Sequence, residues 1–141
     1  MAMESLSQLV AQRPLIALHL GAALLALLLG AIVMLRRKGT RSHKAIGWAF
    51  VALMATTAVS SAFIRDYRMP NIAGFTPIHL FTAYVAVWLP IGIWRIRSGR
   101  VSAHRKTMRG IFFGGCVVAG VFTLLPGRFL GNLLWHQWLG V

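Results

Sequence analysis

The chain has 141 residues, 57% of them hydrophobic, and carries a net charge of +13. Its apolar share exceeds that of an ordinary water-soluble domain and indicates an integral membrane protein. Glu4 and Asp66 are the only acidic residues. The sequence therefore argues against hydrolysis by paired carboxylates and against a Mg²⁺ site built from carboxylates. The single cysteine, Cys116, excludes an intrachain disulfide and any zinc site built from several cysteines.

Four apolar stretches are long enough to cross a membrane. A hydrocarbon core of about 30 Å needs about 20 helical residues. Pro14 and Pro77 suit a first helical turn, and Pro126 with Gly127 is typical of a stop after the last stretch. The sequence therefore predicts a single all-α membrane domain, residues 1–141, with spans at about 14–35, 46–64, 77–96 and 108–125.

Basic residues are concentrated in the loops after the first and third stretches, which hold eleven of the fifteen lysines and arginines. The positive-inside rule places both loops in the cytoplasm and both termini outside. Because a nucleic-acid binder presents its basic residues on a soluble face, we expect no nucleic-acid partner. We expect these loops to contact anionic membrane lipids instead.

The C-terminal segment, residues 129–141, is too short to span a membrane. Its apolar residues recur at helical spacing, which predicts a short amphipathic helix along the outer interface. His136 lies in this segment and is expected at the interface.

An internal repeat relates the two halves of the chain. The matched positions are His19 with His79, Gly39 with Gly99, Ser42 with Ser102, and His43 with His104. The repeat predicts two helical hairpins of the same design and direction. They would form a four-helix bundle in which the first helix lies diagonally opposite the third, and the second opposite the fourth.

Small residues are predicted to share the helix faces of the outer histidines. The stripe on the first helix is His19, Ala22, Ala23, Ala26 and Gly30, and the stripe on the third is His79, Thr82, Ala83, Ala86 and Pro90. Such stripes let helices approach closely or leave space for a flat ligand. Gly110 and Gly114 have a similar spacing that suits packing inside the bundle or against another protein.

The four repeated histidines form two candidate pairs at opposite membrane faces. His19 and His79 are predicted near the outer interface, with His43 and His104 about 24 Å away near the inner one. Two facing imidazoles are the ligand set of a b-type haem, and bundle cores hold such cofactors. Arg105, like Lys44 in the first half, follows an inner histidine, where its charge favours a neutral imidazole and suits a haem propionate.

The same histidines have other interpretations. Within membrane helices they can serve as hydrogen-bond partners between helices. His43 and His104 can also simply begin their helices, after Ser42 and Ser102 as N-caps. Use in quinone, copper or proton handling is a further alternative.

Several segments resemble a bacterial family of predicted membrane proteins, domain of unknown function 2306. They are residues 37–47, 76–80, 97–108 and 122–128. The resemblance implies the four-span topology and a bacterial inner membrane. The positions carried over, without a role, are His43, His104, Arg105, Met108 and Arg128. In architecture, the histidine quartet is also similar to that of the transmembrane di-haem b-type cytochromes of the ascorbate-dependent type.

Two functional hypotheses follow. The first is a small membrane cytochrome that passes electrons through haem b held by His19 with His79 and by His43 with His104, quinol being one candidate donor. The second is a non-catalytic accessory subunit that packs against a larger respiratory or photosynthetic complex, or against a second copy. A transporter ranks last because no acidic residue lies at mid-membrane.

Overall fold

The computed structural model describes residues 2–64, 79–124, 129–132, 135–136 and 139–140, and every regular element in this part is helical. The helices are α1 (Ala2–Gln12), α2 (Pro14–Leu35), α3 (Arg41–Phe63), α4 (His79–Arg97), α5 (Val101–Gly110), a π-helical segment (Ile111–Val118), α6 (Ala119–Thr123) and α7 (Phe129–Asn132). α5, the π segment and α6 follow one another without a break. We call them together the fourth helix, residues 101–123.

Three helices, α2, α3 and α4, are long and apolar enough to cross a membrane. At most 22% of the residues in their apolar windows are buried inside the protein. Leu24, Leu28 and Val87 are each more than half exposed. Exposing so much apolar surface to water costs about 25 cal/mol per Å², a cost that contact with lipid removes. The chain is therefore a membrane protein with helices suited to span the bilayer.

Two helices begin earlier than hydropathy predicts. α3 begins at Arg41, not near residue 46, and the fourth helix begins at Val101, not near residue 108. Hydropathy marks the lipid-facing part of a helix and misses a polar first turn. The first turns of the fourth helix are polar, with Arg105, Lys106 and Arg109 in α5.

The predicted N-caps are wrong in both hairpins. Thr40, not Ser42, caps α3, because its Oγ1 accepts a hydrogen bond from the backbone N–H of His43 at 3.2 Å. At α5 the N-cap position is Arg100, which makes no side-chain cap bond, and Ser102 already lies inside the helix. The observed N-cap positions precede the predicted ones because both helices begin before the positions that hydropathy indicated.

The repeat is confirmed in the hairpin loops. Gly39 has φ +81° and Gly99 has φ +74°, so both loops turn through a left-handed residue at the matched position. In the first loop, Lys38 Nζ also donates to the carbonyls of Val33, Met34 and Arg36. A cation there satisfies the unpaired carbonyls at the end of α2 and interacts favourably with its dipole.

The helices pack in a cyclic order. α2 packs on α3, α3 on α4, α4 on α5 and on the π segment, and the π segment on α2. α2 and α4 are thus diagonal to each other, and so are α3 and the fourth helix. A core of apolar side chains fills the space between them, formed by Ala26, Phe50, Met54, Val85, Leu89, Ile111 and Phe112.

The small-residue stripe is correct on α2 and wrong on α4. Ala22, Ala26 and Gly30 are the buried residues of α2. On α4 the buried residues are instead Val85, Leu89 and Gly92, and the predicted Ala83, Ala86 and Pro90 are exposed. A helix that is apolar all round gives no sequence signal for its inward face, and here the larger side chains fill the core. In the fourth helix Gly110 packs against the Tyr84 hydroxyl and Gly114 against the Tyr84 ring, whereas Gly120 has open space around it.

Candidate functional site

His19, in the outer half of α2, bonds to the adjacent helix α3. Its Nδ1 lies 3.0 Å from the Thr57 carbonyl oxygen and 3.0 Å from Ser60 Oγ. A carbonyl only accepts, so Nδ1 carries the proton and the neutral ring has its lone pair on Nε2. The Ser60 hydroxyl donates to the Thr56 carbonyl at 2.7 Å, which leaves its oxygen as a second acceptor for His19.

His79, at the first residue of α4, bonds to the end of the same helix α3. Its Nε2 lies 3.1 Å from the Ser61 carbonyl oxygen and 2.9 Å from that of Ile64. Nε2 therefore carries the proton. One turn further along α4, Thr82 Oγ1 lies 2.7 Å from Ser61 Oγ. His19 and His79 thus converge on the C-terminal end of α3, where three backbone carbonyls and the Ser60 hydroxyl supply the acceptors.

The inner histidines occupy equivalent places in the two hairpins but have different hydrogen bonds. His104 Nδ1 donates to the Gly92 carbonyl at 2.8 Å, which leaves Nε2 with the lone pair. His43 has a buried Nδ1 with no hydrogen-bond partner among the described residues, although the Val33 backbone lies near its ring. A buried nitrogen without a well-aligned hydrogen bond is costly, which sets His43 apart from the other three histidines.

His19 and His79, on two helices that both pack on α3, each bond to the last turns of that helix. In the part of the chain that the structure describes, no group of three or more metal-ligating side chains comes together. Each end of the protein therefore offers two imidazoles, a set that suits an iron whose other four ligands belong to a porphyrin.

The orientation of each histidine ring determines which of its nitrogens could face a haem iron. His104 resembles a metal-ligating histidine, which typically donates its other N–H to a backbone carbonyl. His43 Nδ1 is unpartnered but also buried, so this ring has to turn before the nitrogen can reach a metal. In the outer pair His19 offers Nε2, whereas His79 has Nε2 engaged with two carbonyls and would ligate through Nδ1 or after turning its ring.

The other family positions have mixed outcomes. Arg105 is exposed and makes no hydrogen bond or ion pair to a described residue. Met108 packs against the core, and its Sδ would lie 3.0 Å from a Cβ on Gly92, so its role is packing. Arg128 lies outside the described residues. His136 is exposed, as expected for the interface.

Arg95 is a residue that sequence analysis did not single out. Its Nη1 donates to Thr107 Oγ1 at 2.5 Å, so it connects α4 to the fourth helix beside the His104–Gly92 bond. Sequence analysis treated it as one of many loop cations. The signal that distinguishes it is its spacing of seven residues from Trp88, which puts both on one helix face.

The fold and the site together define a membrane protein, helical throughout its described regular elements, in which His19, His79 and His104 each bond to a neighbouring helix. The chain belongs to the family of predicted membrane proteins called domain of unknown function 2306, whose model matches residues 16–131. No curated protein and no solved structure matches the chain. The match covers all four histidines and both hairpin loops.

Proposed function

We propose that this protein is a small membrane cytochrome that holds b-type haem between the histidines of its two repeated hairpins. The proposed ligand pairs are His43 with His104 and His19 with His79. The observation that carries the proposal is that His19 and His79, matched residues of the two repeats, converge on the last turns of α3. Haem would supply one-electron transfer. Two haems, one at each histidine pair, would form a path for electrons across the membrane.

The chain's own residues would orient the ligating histidines and separate the two haem positions. The Gly92 carbonyl holds the His104 ring, and the Thr57 carbonyl holds the His19 ring. Fixed imidazoles cost little reorganisation when they take up a metal. The apolar core would lie between the two haem positions, and its largest side chains include Phe50, Met54 and Phe112.

The proposal includes the topology that brings the pairs together. The fourth helix would also cross the membrane, which completes a four-helix bundle with both termini outside a bacterial inner membrane. Its 23 residues would span about 34 Å. The exposed Arg105 and Lys44 would lie at the inner interface, near propionates or anionic lipid headgroups.

Absorbance spectroscopy tests the proposal directly. Detergent-purified protein would be measured oxidised and dithionite-reduced, with a pyridine assay for haem per chain. A reduced α band with one or two haems per chain supports the proposal. Colourless protein from cells with ample haem would contradict it.

Amide variants separate a ligand histidine from a merely hydrogen-bonded one. Asparagine places its amide N–H near the position of histidine Nδ1, and glutamine places it near Nε2. His104→Asn and His19→Asn, and likewise His79→Gln, keep the observed hydrogen bonds but offer iron no imidazole. We expect each variant to fold and to lose the haem of its own pair only. Full absorbance in all three variants would refute the ligand assignment.

A second candidate function is that of a non-catalytic accessory subunit. It is favoured by an apolar groove of about 440 Å³ on the lipid-facing side, lined by Leu80, Phe81, Tyr84, Gly114 and Phe122. A helix of a larger membrane complex, or of a second copy, would fit there. In that case the three amide variants would leave the absorbance spectrum and the assembly of the protein unchanged. Leu80→Gln, at an exposed residue that lines the groove, would instead release the chain from its complex on a native gel, whereas Val87→Gln, at an exposed residue of the same helix outside the groove, would not.

A further inference from the structure

Arg95 lies near the end of α4, and its side chain extends away from the neighbouring loop. The guanidinium carbon lies 5.6 Å from the ring centroid of Trp88, which is two helical turns earlier. Its Nη1 donates to Thr107, which lies well inside the fourth helix. An arginine near the end of a membrane helix normally extends towards water. Here the guanidinium points towards the middle of the helix pair.

Two neighbours hold the guanidinium in this unusual position. Thr107 is only 7% exposed, and its hydroxyl proton goes to the Ala103 carbonyl at 2.8 Å. Its oxygen is thereby fixed as an acceptor for Arg95. The Trp88 ring covers the cation from another side. The side chain therefore loses little further entropy when it binds a ligand.

The charge of Arg95 has no counter-ion among the described residues. No described carboxylate contacts it, and the sequence has no acidic residue after Asp66. The guanidinium has five N–H donors, and one of them is used by Thr107. A half-buried cation is costly unless an anion or polar groups pair with it, so Arg95 is a candidate anion-binding residue.

We propose that Arg95 binds the phosphate of an anionic phospholipid in the cleft between α4 and α5. The planar fork of an arginine matches two oxygens of a phosphate. Trp88 is 37% exposed and Arg95 is half-buried, so a lipid can reach both from the side. Arg100, stacked 4.9 Å over Trp94 closer to the loop, adds positive charge along the entry path. This inference does not depend on haem and goes beyond the proposed function.

Native mass spectrometry of the full chain in detergent tests the site. The protein would be titrated with dioleoyl phosphatidylglycerol, and with dioleoyl phosphatidylcholine as the uncharged lipid. Arg95→Gln removes the charge from the proposed site. Arg97→Gln removes one charge two residues away, from an exposed side chain without a hydrogen bond to a described residue, and is the matched control.

We expect Arg95→Gln to weaken binding of phosphatidylglycerol about tenfold, the loss of one charge-assisted hydrogen-bonded contact. Arg97→Gln and phosphatidylcholine binding should change little. Thr107→Val, which frees Arg95 but keeps its charge, should give an intermediate loss. That variant also decides the matter if Arg95→Gln does not fold.

Three outcomes would overturn the proposal. The first is unchanged phosphatidylglycerol binding by Arg95→Gln, or by Thr107→Val if the first variant does not fold. The second is an equal loss in Arg95→Gln and Arg97→Gln, which would assign the affinity to overall charge. The third is a haem absorbance change in Arg95→Gln with lipid binding intact, which would make a propionate the partner of Arg95.

Discussion

Gly30 of α2 lies against Phe112 of the fourth helix, and its replacement by alanine tests the packing between these two helices. A Cβ at this position would lie 2.5 Å from Cδ2 of Phe112 and 2.8 Å from Cε2 of Phe50. Both rings belong to the core and are 8% and 2% exposed, so neither can move away freely.

The expected magnitude comes from overpacking. Forcing a methyl group into a packed core costs about 1–3 kcal/mol. Alanine also gains about 1 kcal/mol over glycine in helix propensity. Gly21→Ala is the matched control, because it lies in the same helix and a Cβ there has nothing within 4 Å. The propensity gain cancels between the two variants, so their difference isolates overpacking.

The assay is unfolding by sodium dodecyl sulfate in mixed micelles, followed by far-ultraviolet circular dichroism. We expect Gly30→Ala to be about 1–3 kcal/mol less stable than Gly21→Ala. Equal unfolding midpoints for the two variants would refute the close contact between α2 and the π segment. The diagonal placement of His19 and His79 would then lose its structural basis.

Two further predictions concern the hairpin loops. Thr40→Ala should destabilise the protein by about 1 kcal/mol in the same assay, because it removes the N-cap of α3, while Ser42→Ala should have little effect; the reverse order would restore Ser42 as the cap. Gly39→Ala and Gly99→Ala should each cost about 1–2 kcal/mol, because alanine is strained at positive φ. Gly120→Ala, a helical glycine in open space, should cost nothing, and equal losses in all three glycine variants would contradict the loop geometry.

Much of the fold was predictable from sequence because bilayer length and repetition leave strong signals. The apolar stretches predicted α2 and α4 within a few residues. The repeat predicted equivalent hairpins, and Gly39 and Gly99 adopt the same left-handed conformation in both. It also predicted the diagonal placement of α2 and α4, because two parallel hairpins place equivalent helices diagonally.

Sequence alone did not predict which faces turn inward or how polar groups pair. On α4, Val85 and Leu89 face the core although Ala83 and Ala86 looked equally suitable. Hydropathy is uniform around such a helix, so only the shapes of the neighbouring helices select a face. The π segment also escaped prediction, since its backbone pattern has no simple residue signature.

The sequence by itself thus determined the membrane location and the repeated hairpins, which place one histidine near each end of each hairpin. Only the tertiary structure shows which ring nitrogen carries the proton in His19 and His79. It also shows that His43 Nδ1 has no hydrogen-bond partner among the described residues and that Arg95 points inward. Hydropathy and repetition are properties of residues along one chain, whereas a hydrogen bond depends on the distance and angle between atoms of different helices.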